Sequence, residues 1–344
     1  MDHRLHRFDR FHRHACRQAG SFILYRAGNA GYVCLVSYVD RLDWQIALGA
    51  AETLRDRIVM QIMEPVVSLR CGELNLDVAT RFREQGDDLL ILLHGLGCSK
   101  ESFAGAFDAP ELRGYAICAL DFPGHGGSSR DLPSGCYSLE VCADITGQLI
   151  TRVMAKRRYN RVYVAGHSMG GAVAVLLPDG EYGITSLVSI DGNLIAEDCG
   201  LVSRGIAEQS VEHFVSQGYY DFNSALHDSA QPDAQAWARW SSNAAPEAMH
   251  AAARSLVAWS DSGKLLEQFN SIEKRAFLYG ERDDKAYLLP CIEDATIAAV
   301  PAAAHFMMVD NPTAFYRILA AALEPNSTGS IVGLRRQDSF QSVL

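Results

Sequence analysis

A serine set among glycines, Gly166-His167-Ser168-Met169-Gly170 with Gly171 next, is the sharpest chemical signal in the chain. It stands between a short apolar stretch, Val162-Tyr163-Val164-Ala165, and a second apolar run from Ala172 to Leu177. A strand that turns at once into a helix strains the backbone at the turning residue, and glycines on either side leave room for the turn to close. The hydroxyl is then presented at the carboxyl end of the strand, while the next N–H groups open a helix and face any negative charge that develops on a substrate oxygen. This arrangement suits nucleophilic attack on a carbonyl. A hydroxyl is a weak nucleophile, so it needs a base within hydrogen-bond reach and a carboxylate to orient that base. His305 and aspartates 191, 283 and 284 lie at or beyond the ends of apolar runs and are the candidates.

Those runs are the elements that must position the chemistry. Leu89–Leu93, Tyr115–Leu120, Val162–Ala165, Ile184–Ile190, Ala276–Tyr279 and Ala295–Val300 are short and wholly apolar, as strands buried on both faces of a parallel sheet must be. Between them Ser138–Val153 places Leu139, Cys142, Ile145, Leu149 and Val153 at helical spacing. Alternation of strand and helix predicts an α/β fold with a doubly wound, mostly parallel sheet. Ahead of it, Val66 to Val78 alternates around Cys71-Gly72 and predicts a hairpin. Residues 192–272 lack a strong strand and are rich in Ala, Trp and Tyr, which predicts an inserted helical lid subdomain rather than a long loop. It carries Phe214, Tyr219, Tyr220, Phe222, Trp237, Trp240 and Trp259, so an aromatic, apolar cover over Ser168 is expected, with most of these rings packing the lid's own small core.

Several of these motifs, in order and spacing, resemble the α/β-hydrolase family over residues 66–323. His94-Gly95-Leu96-Gly97 after the first buried run looks like that family's oxyanion loop. The resemblance implies that the backbone N–H groups of Leu96 and Met169 form the oxyanion hole. Asp121-Phe122-Pro123-Gly124-His125-Gly126-Gly127-Ser128 looks like the family's next loop, in which Asp121 and His125 serve loop structure. The family's acid stands three residues after the glycine of Gly280-Glu281-Arg282-Asp283-Asp284, which is Asp283; Asp284 is its neighbour, and Asp191 is an alternative because some members draw the acid from there. Ala304-His305-Phe306, ahead of Asp310-Asn311-Pro312, matches the histidine loop, so His305 is the implied base. The implied function is a serine hydrolase working through a covalent Ser168 intermediate, with a carboxylesterase on an apolar small-molecule ester as the leading expectation. Lactonase, thioesterase, amidase and C–C bond hydrolase share the constellation. A hydrolase-like ligand-binding protein would keep the pocket without using it.

Composition bounds the rest. The chain has 344 residues, 48% hydrophobic and 21% charged, enough for a large core and unlike a disordered chain. A net charge of -10 opposes nucleic-acid binding. The stretch 22–39 is broken by Arg26 and Asn29, so no membrane span is expected. Nine scattered cysteines, with no CxxC pair, read as buried thiols of a reducing compartment, and the expected location is the cytoplasm. No metal or cofactor is expected: HExxH is missing, and Gly95 and Gly97 lack the Lys-Ser/Thr ending of a phosphate loop. Residues 1–64 are an extension of unknown role, with a histidine- and arginine-rich solvated tail at 1–17 and a helix expected from Leu42 to Glu64; residues 325–344 are expected to be a disordered tail. The domain proper then runs over 65–324, and its oligomeric state is unspecified.

Overall fold

The computed structural model describes residues 62–324 except 179, together with the backbones of three strands outside that range. The chain divides into two units, Met1–Met60 and Gln61–Leu344. In the first, β1 (Phe22–Arg26) and β2 (Tyr32–Val36) pair antiparallel, so the apolar stretch folds back on itself. The rest of that unit, including the 1–17 tail and most of the expected 42–64 helix, lies outside the described residues.

In the second unit the strands are β3 (Ile62–Met63), β4 (Val66–Cys71), β5 (Leu74–Arg83), β6 (Asp88–Leu93), β7 (Tyr115–Leu120), β8 (Val162–His167), β9 (Ile184–Ile190), β10 (Arg275–Gly280), β11 (Thr296–Val300) and β12 (Arg335–Arg336). They form one sheet in the order β12-β11-β10-β9-β8-β6-β7-β5-β3, with β4 on β5. The run from β7 to β11 is parallel, and β5, β3 and β12 join antiparallel at the edges. The predicted hairpin turns at Gly72, whose φ of 59° suits glycine. Ile62 and Met63, expected to be helical, are instead a short strand that pairs with Arg83 and Phe82, satisfying backbone groups that β5 would otherwise leave open. The expected 325–344 tail lies outside the described residues apart from β12, which pairs with β11.

Why β6 is apolar from Leu89 to Leu93 is clear from its two faces. Leu89, Ile91 and Leu93 enter one core, Leu90 and Leu92 the other, and all five are fully buried. The period-2 pleat thus serves two hydrophobic layers at once. Helix α1 (Leu139–Lys156), capped by Ser138 accepting from the Val141 N–H, covers the first layer with Leu139, Ile145, Leu149 and Val153. α2 (Met169–Val175) follows β8 directly.

Between β9 and β10 the chain builds α3 (Gly200–Ala207), α4 (Tyr219–Asp228), α5 (Pro232–Ser241), α6 (Pro246–Asp261) and α7 (Lys264–Ser271). Proline opens α5 and α6, where a missing N–H costs nothing. Phe214 and Tyr219 pack within this insertion against each other, and Trp259 donates to Glu140 on α1. Two short helices, α8 (Met307–Asp310) and α9 (Pro312–Leu323), complete the unit, α9 filling the second layer with Phe315 and Leu319.

One cysteine expectation is corrected. Cys71, at the end of β4, and Cys136, in the turn Ser134–Tyr137, form a disulfide with a Cα–Cα distance of 6.2 Å. Their 65-residue separation hid the pairing, since neither spacing nor a paired motif signals it. Cys98, Cys118, Cys142 and Cys199 are buried thiols. Closing so long a loop restricts the unfolded chain by about 4 kcal/mol in the chain-entropy account. Cys71→Ser is therefore expected to lower the urea midpoint clearly, and a reductant to bring the parent protein to the same midpoint. Equal midpoints for oxidised parent and variant would show that the bridge contributes no stability.

Candidate active site

Ser168 sits between β8 and α2 with φ 52° and ψ -120°, a conformation that side chains avoid and that costs about 1–3 kcal/mol. Its neighbours explain why it is tolerated. A Cβ on Gly170 would collide with the backbone at Leu93 and His94, and one on Gly166 with the backbone of Gly170 and Gly171. The glycines of the motif therefore let the turn close against the end of β6. The Ser168 N–H donates to Ile190 O at 2.9 Å, tying the turn to β9. Its Oγ donates to Asn193 Oδ1 at 3.4 Å.

His305, between β11 and α8, reaches the same place. Its Nδ1 lies 2.6 Å from Asp191 Oδ2, so Nδ1 carries the proton and Nε2 keeps its lone pair. The carboxylate expected there, Asp283, is not the one found there. β9 and β10 are adjacent parallel strands, with Ile190 opposite Leu278, so Asp191 and Asp283 both emerge at one sheet edge and chain spacing alone does not rank them. Asp191 leaves β9 with φ 46° and its N–H bonded to Leu278 O at 2.6 Å, which aims the carboxylate at the imidazole. Burial alone would raise its pKa. The hydrogen bond and charge of His305, then the ammonium of Lys285 at 2.7 Å, outweigh burial and hold the carboxyl below its usual range. Asp283 is pushed the other way, to about 6, by burial first and by the charge of Asp191 second. Asp284 turns back to accept from its own loop, at the Ala286 N–H.

The other histidines are built into the framework. His94 Nδ1 bonds Gly95 O at 2.8 Å and its Nε2 accepts from the Phe122 N–H at 3.0 Å. Gly95 O shares a peptide unit with the Leu96 N–H, so this contact, with Cys98 N–H on the same oxygen, fixes the plane of that peptide. The loop lies close on the serine: a Cβ on Gly95 would be 3.2 Å from the Ser168 Cβ. From above, Trp237 Nε1 on α5 donates to Leu96 O at 3.1 Å. The Met169 N–H opens α2. His125 holds Pro123 O and the Gly97 N–H, and Asp121 binds the Lys100 ammonium and the Gly127 N–H, so both serve loop structure. His167 donates Nε2–H to His305 O at 2.9 Å. Burial drives the pKa of His94 and of His167 down to about 3, so both stay neutral in use.

A cavity of about 390 Å³ opens over Ser168 and His305, walled by Leu96, Asn193, Trp237 and Phe306. Of the aromatic residues in the helical insertion, Trp237 lines it, whereas Tyr220 points to solvent. Asp198 and Asp233 also line it, and among the described residues no lysine or arginine does. No group of three or more His, Cys, Asp or Glu side chains is arranged for a metal among the described residues. No helix among them is long and apolar enough to cross a membrane. Asn193, Lys285 and Trp237 escaped the sequence reading as site residues. The Asp191-Gly192-Asn193 turn after a buried run was the available signal for the first.

Comparison with known proteins agrees with this geometry. The model of the alpha/beta hydrolase family matches residues 90–318. A Mycoplasma pneumoniae protein named as an esterase/lipase is 33% identical over 87 residues, 25% of this chain and 31% of its own. An Escherichia coli 2-hydroxy-6-oxononadienedioate/2-hydroxy-6-oxononatrienedioate hydrolase is 31% identical over 94 residues, 26% of this chain and 31% of its own. The chain thus matches about a third of the length of these curated relatives. The crystal structure of an N-acyl homoserine lactonase, AidH, superposes with a TM-score of 0.60 at 16% identity, covering 76% of this chain and 99% of that one. By the match over residues 90–318, two thirds of its length, this chain belongs to the alpha/beta hydrolase family.

Proposed function

We propose that the protein is a serine hydrolase that cleaves carboxylic esters of modest, uncharged, apolar substrates by acyl transfer. The observation that carries the reading is the His305–Asp191 contact at 2.6 Å beside a strained Ser168 in one cavity. Ser168 Oγ attacks the carbonyl as His305 Nε2 takes its proton; Asp191 holds the tautomer and favours the imidazolium. The N–H groups of Leu96 and Met169 receive the oxyanion. His305 then protonates the leaving alkoxide, and water attacks the acyl-serine by the same route. The helical insertion acts as the lid, with Trp237 pinning the oxyanion loop through Leu96 O.

Charge narrows the substrate. The Escherichia coli relative is named for hydrolysing a dicarboxylate. Here Asp233 lines the cavity without a lysine or arginine on its wall, which disfavours an anionic acyl group and favours ester over C–C cleavage of such acids. A neutral butyrate ester is expected to exceed the matched hemisuccinate ester in kcat/KM by about tenfold or more, equivalent to about 1.4 kcal/mol. Asp233→Asn should narrow that gap, and equal rates on both esters would remove the charge argument. The reading itself is tested by incubating the protein with a fluorophosphonate and mapping the adduct by mass spectrometry. Labelling at Ser168 with ester turnover is expected; folded protein that neither labels nor turns over would favour a ligand-binding role. Lactone, thioester and anilide substrates beside the ester series rank the remaining bond types.

A further inference from the structure

Behind the histidine stands a buried cation that the reading above does not use. Lys285, in the loop after β10, is 10% exposed in its side chain and places Nζ 2.7 Å from Asp191 Oδ1 and 3.6 Å from Asp198 Oδ1. Asp191 gives its other oxygen to His305. Asp198 accepts from Tyr287 at 2.8 Å and, through Oδ2, from the Leu194 and Ile195 N–H groups, while its own carbonyl accepts from Asn193 Nδ2 at 2.7 Å. Asn193 Oδ1 in turn accepts from Ser168. A chain of contacts therefore runs from Ser168 through Asn193, Asp198, Lys285 and Asp191 to His305.

Burying an ammonium is expensive unless anions surround it, and these carboxylates supply that compensation. A lysine serving only to fasten its loop could have used Asp198 or solvent. This one lies instead on the oxygen of Asp191 that the imidazole leaves free. Two consequences follow. Rotation of the carboxylate is opposed, because one oxygen bonds the imidazole and the other faces the ammonium in an ion pair. The negative field on the imidazole is also reduced, since Asp191, Asp198 and Asp283 all lie around this loop and Lys285 is the cation among them. Tyr287 and the buried Cys199 thiol beside Asp198, and neutral His167 beside His305, are the other titratable groups facing this chain of contacts.

Resting on the assignment of Ser168, His305 and Asp191 as the reacting set, we propose that Lys285 is a positioning residue that holds the Asp191 carboxylate against His305 and offsets part of its negative charge there. Removing a positive charge from beside Asp191 leaves the imidazole facing more negative charge and favours its protonated form, so more alkaline solution is needed to free Nε2 in such a variant. Lys285→Met is therefore expected to move the acid limb of the kcat/KM profile for p-nitrophenyl butyrate up by about one pH unit, with a fall in kcat of about tenfold as the carboxylate loses its lock. Lys285→Gln keeps a donor without the charge; it should show the same limb shift with a smaller fall in kcat. Asp198→Asn removes a negative charge and should move the limb down, the opposite sign. An unmoved limb in both Lys285 variants, whatever their melting temperatures, makes the residue a structural tether and overturns the proposal. If those variants do not fold, an upward or absent shift in Asp198→Asn does the same. Parent protein without ester turnover or fluorophosphonate labelling overturns the serine assignment instead, which keeps the two failures apart.

Discussion

Ser168→Ala is expected to lower kcat/KM on p-nitrophenyl butyrate by about 10⁴- to 10⁶-fold, the loss that follows removal of a nucleophile whose partners are intact. Little else should change. The recorded side-chain bond of Ser168 is a long one, 3.4 Å to Asn193, so its loss should leave folding and substrate affinity near those of the parent. A second substitution separates chemistry from strain. Ser168→Gly removes the same hydroxyl but also relieves a backbone with φ 52°, so it is expected to be more stable than Ser168→Ala by about 1 kcal/mol. Two inactive variants ordered in that way would mean that the parent tolerates strain to present a hydroxyl. A fully active alanine variant would end the acyl-serine reading.

The elements that hold this serine were legible because each obeys a local rule. β6 had to be apolar from Leu89 to Leu93, since odd and even positions face separate cores. The elbow needed glycine where backbone meets backbone, at Gly166 and Gly170. The turn at Cys71-Gly72 needed a residue free to take φ 59°. What remained hidden depends on which strand lies next to which. Asp191 and Asp283 are 92 positions apart in the chain yet leave neighbouring strands at one edge, so either could meet His305 until the β9–β10 register is known. Lys285 reads as one more polar loop residue until Asp198, from the turn after β9, closes on it. Cys71 and Cys136 meet only because the hairpin packs beside the turn that precedes α1. The same holds for Trp237, whose indole crosses from the insertion to Leu96 O.

The two aspartates allow a crossed test. Asp191→Asn keeps the shape but leaves His305 Nδ1 facing an amide, which neither enforces the productive tautomer nor supports the imidazolium; a fall in kcat of about 10⁴-fold is expected. Asp283→Asn should leave kcat within a few-fold of the parent, because Asp191 keeps its 2.6 Å contact with His305. Its effect should fall on stability, with a sign set by its environment. Burial and the neighbouring Asp191 charge raise the Asp283 carboxyl to about 6, above its value in the unfolded chain, so the fold favours the protonated form. That contribution is fully present at low pH and is lost as pH rises through about 6. At pH 8 the parent therefore carries an ionised carboxylate in an unfavourable place, and the asparagine variant, which cannot ionise, is expected to unfold at higher urea. The difference should shrink as pH falls through 6 and vanish near 4, where the unfolded carboxyl is itself protonated. Measuring kcat and urea midpoints for both variants from pH 4 to pH 8 decides the matter. Collapse of kcat in Asp283→Asn with a nearly normal Asp191→Asn would return the acid to the loop after β10 and make the Asp191–His305 contact a structural one.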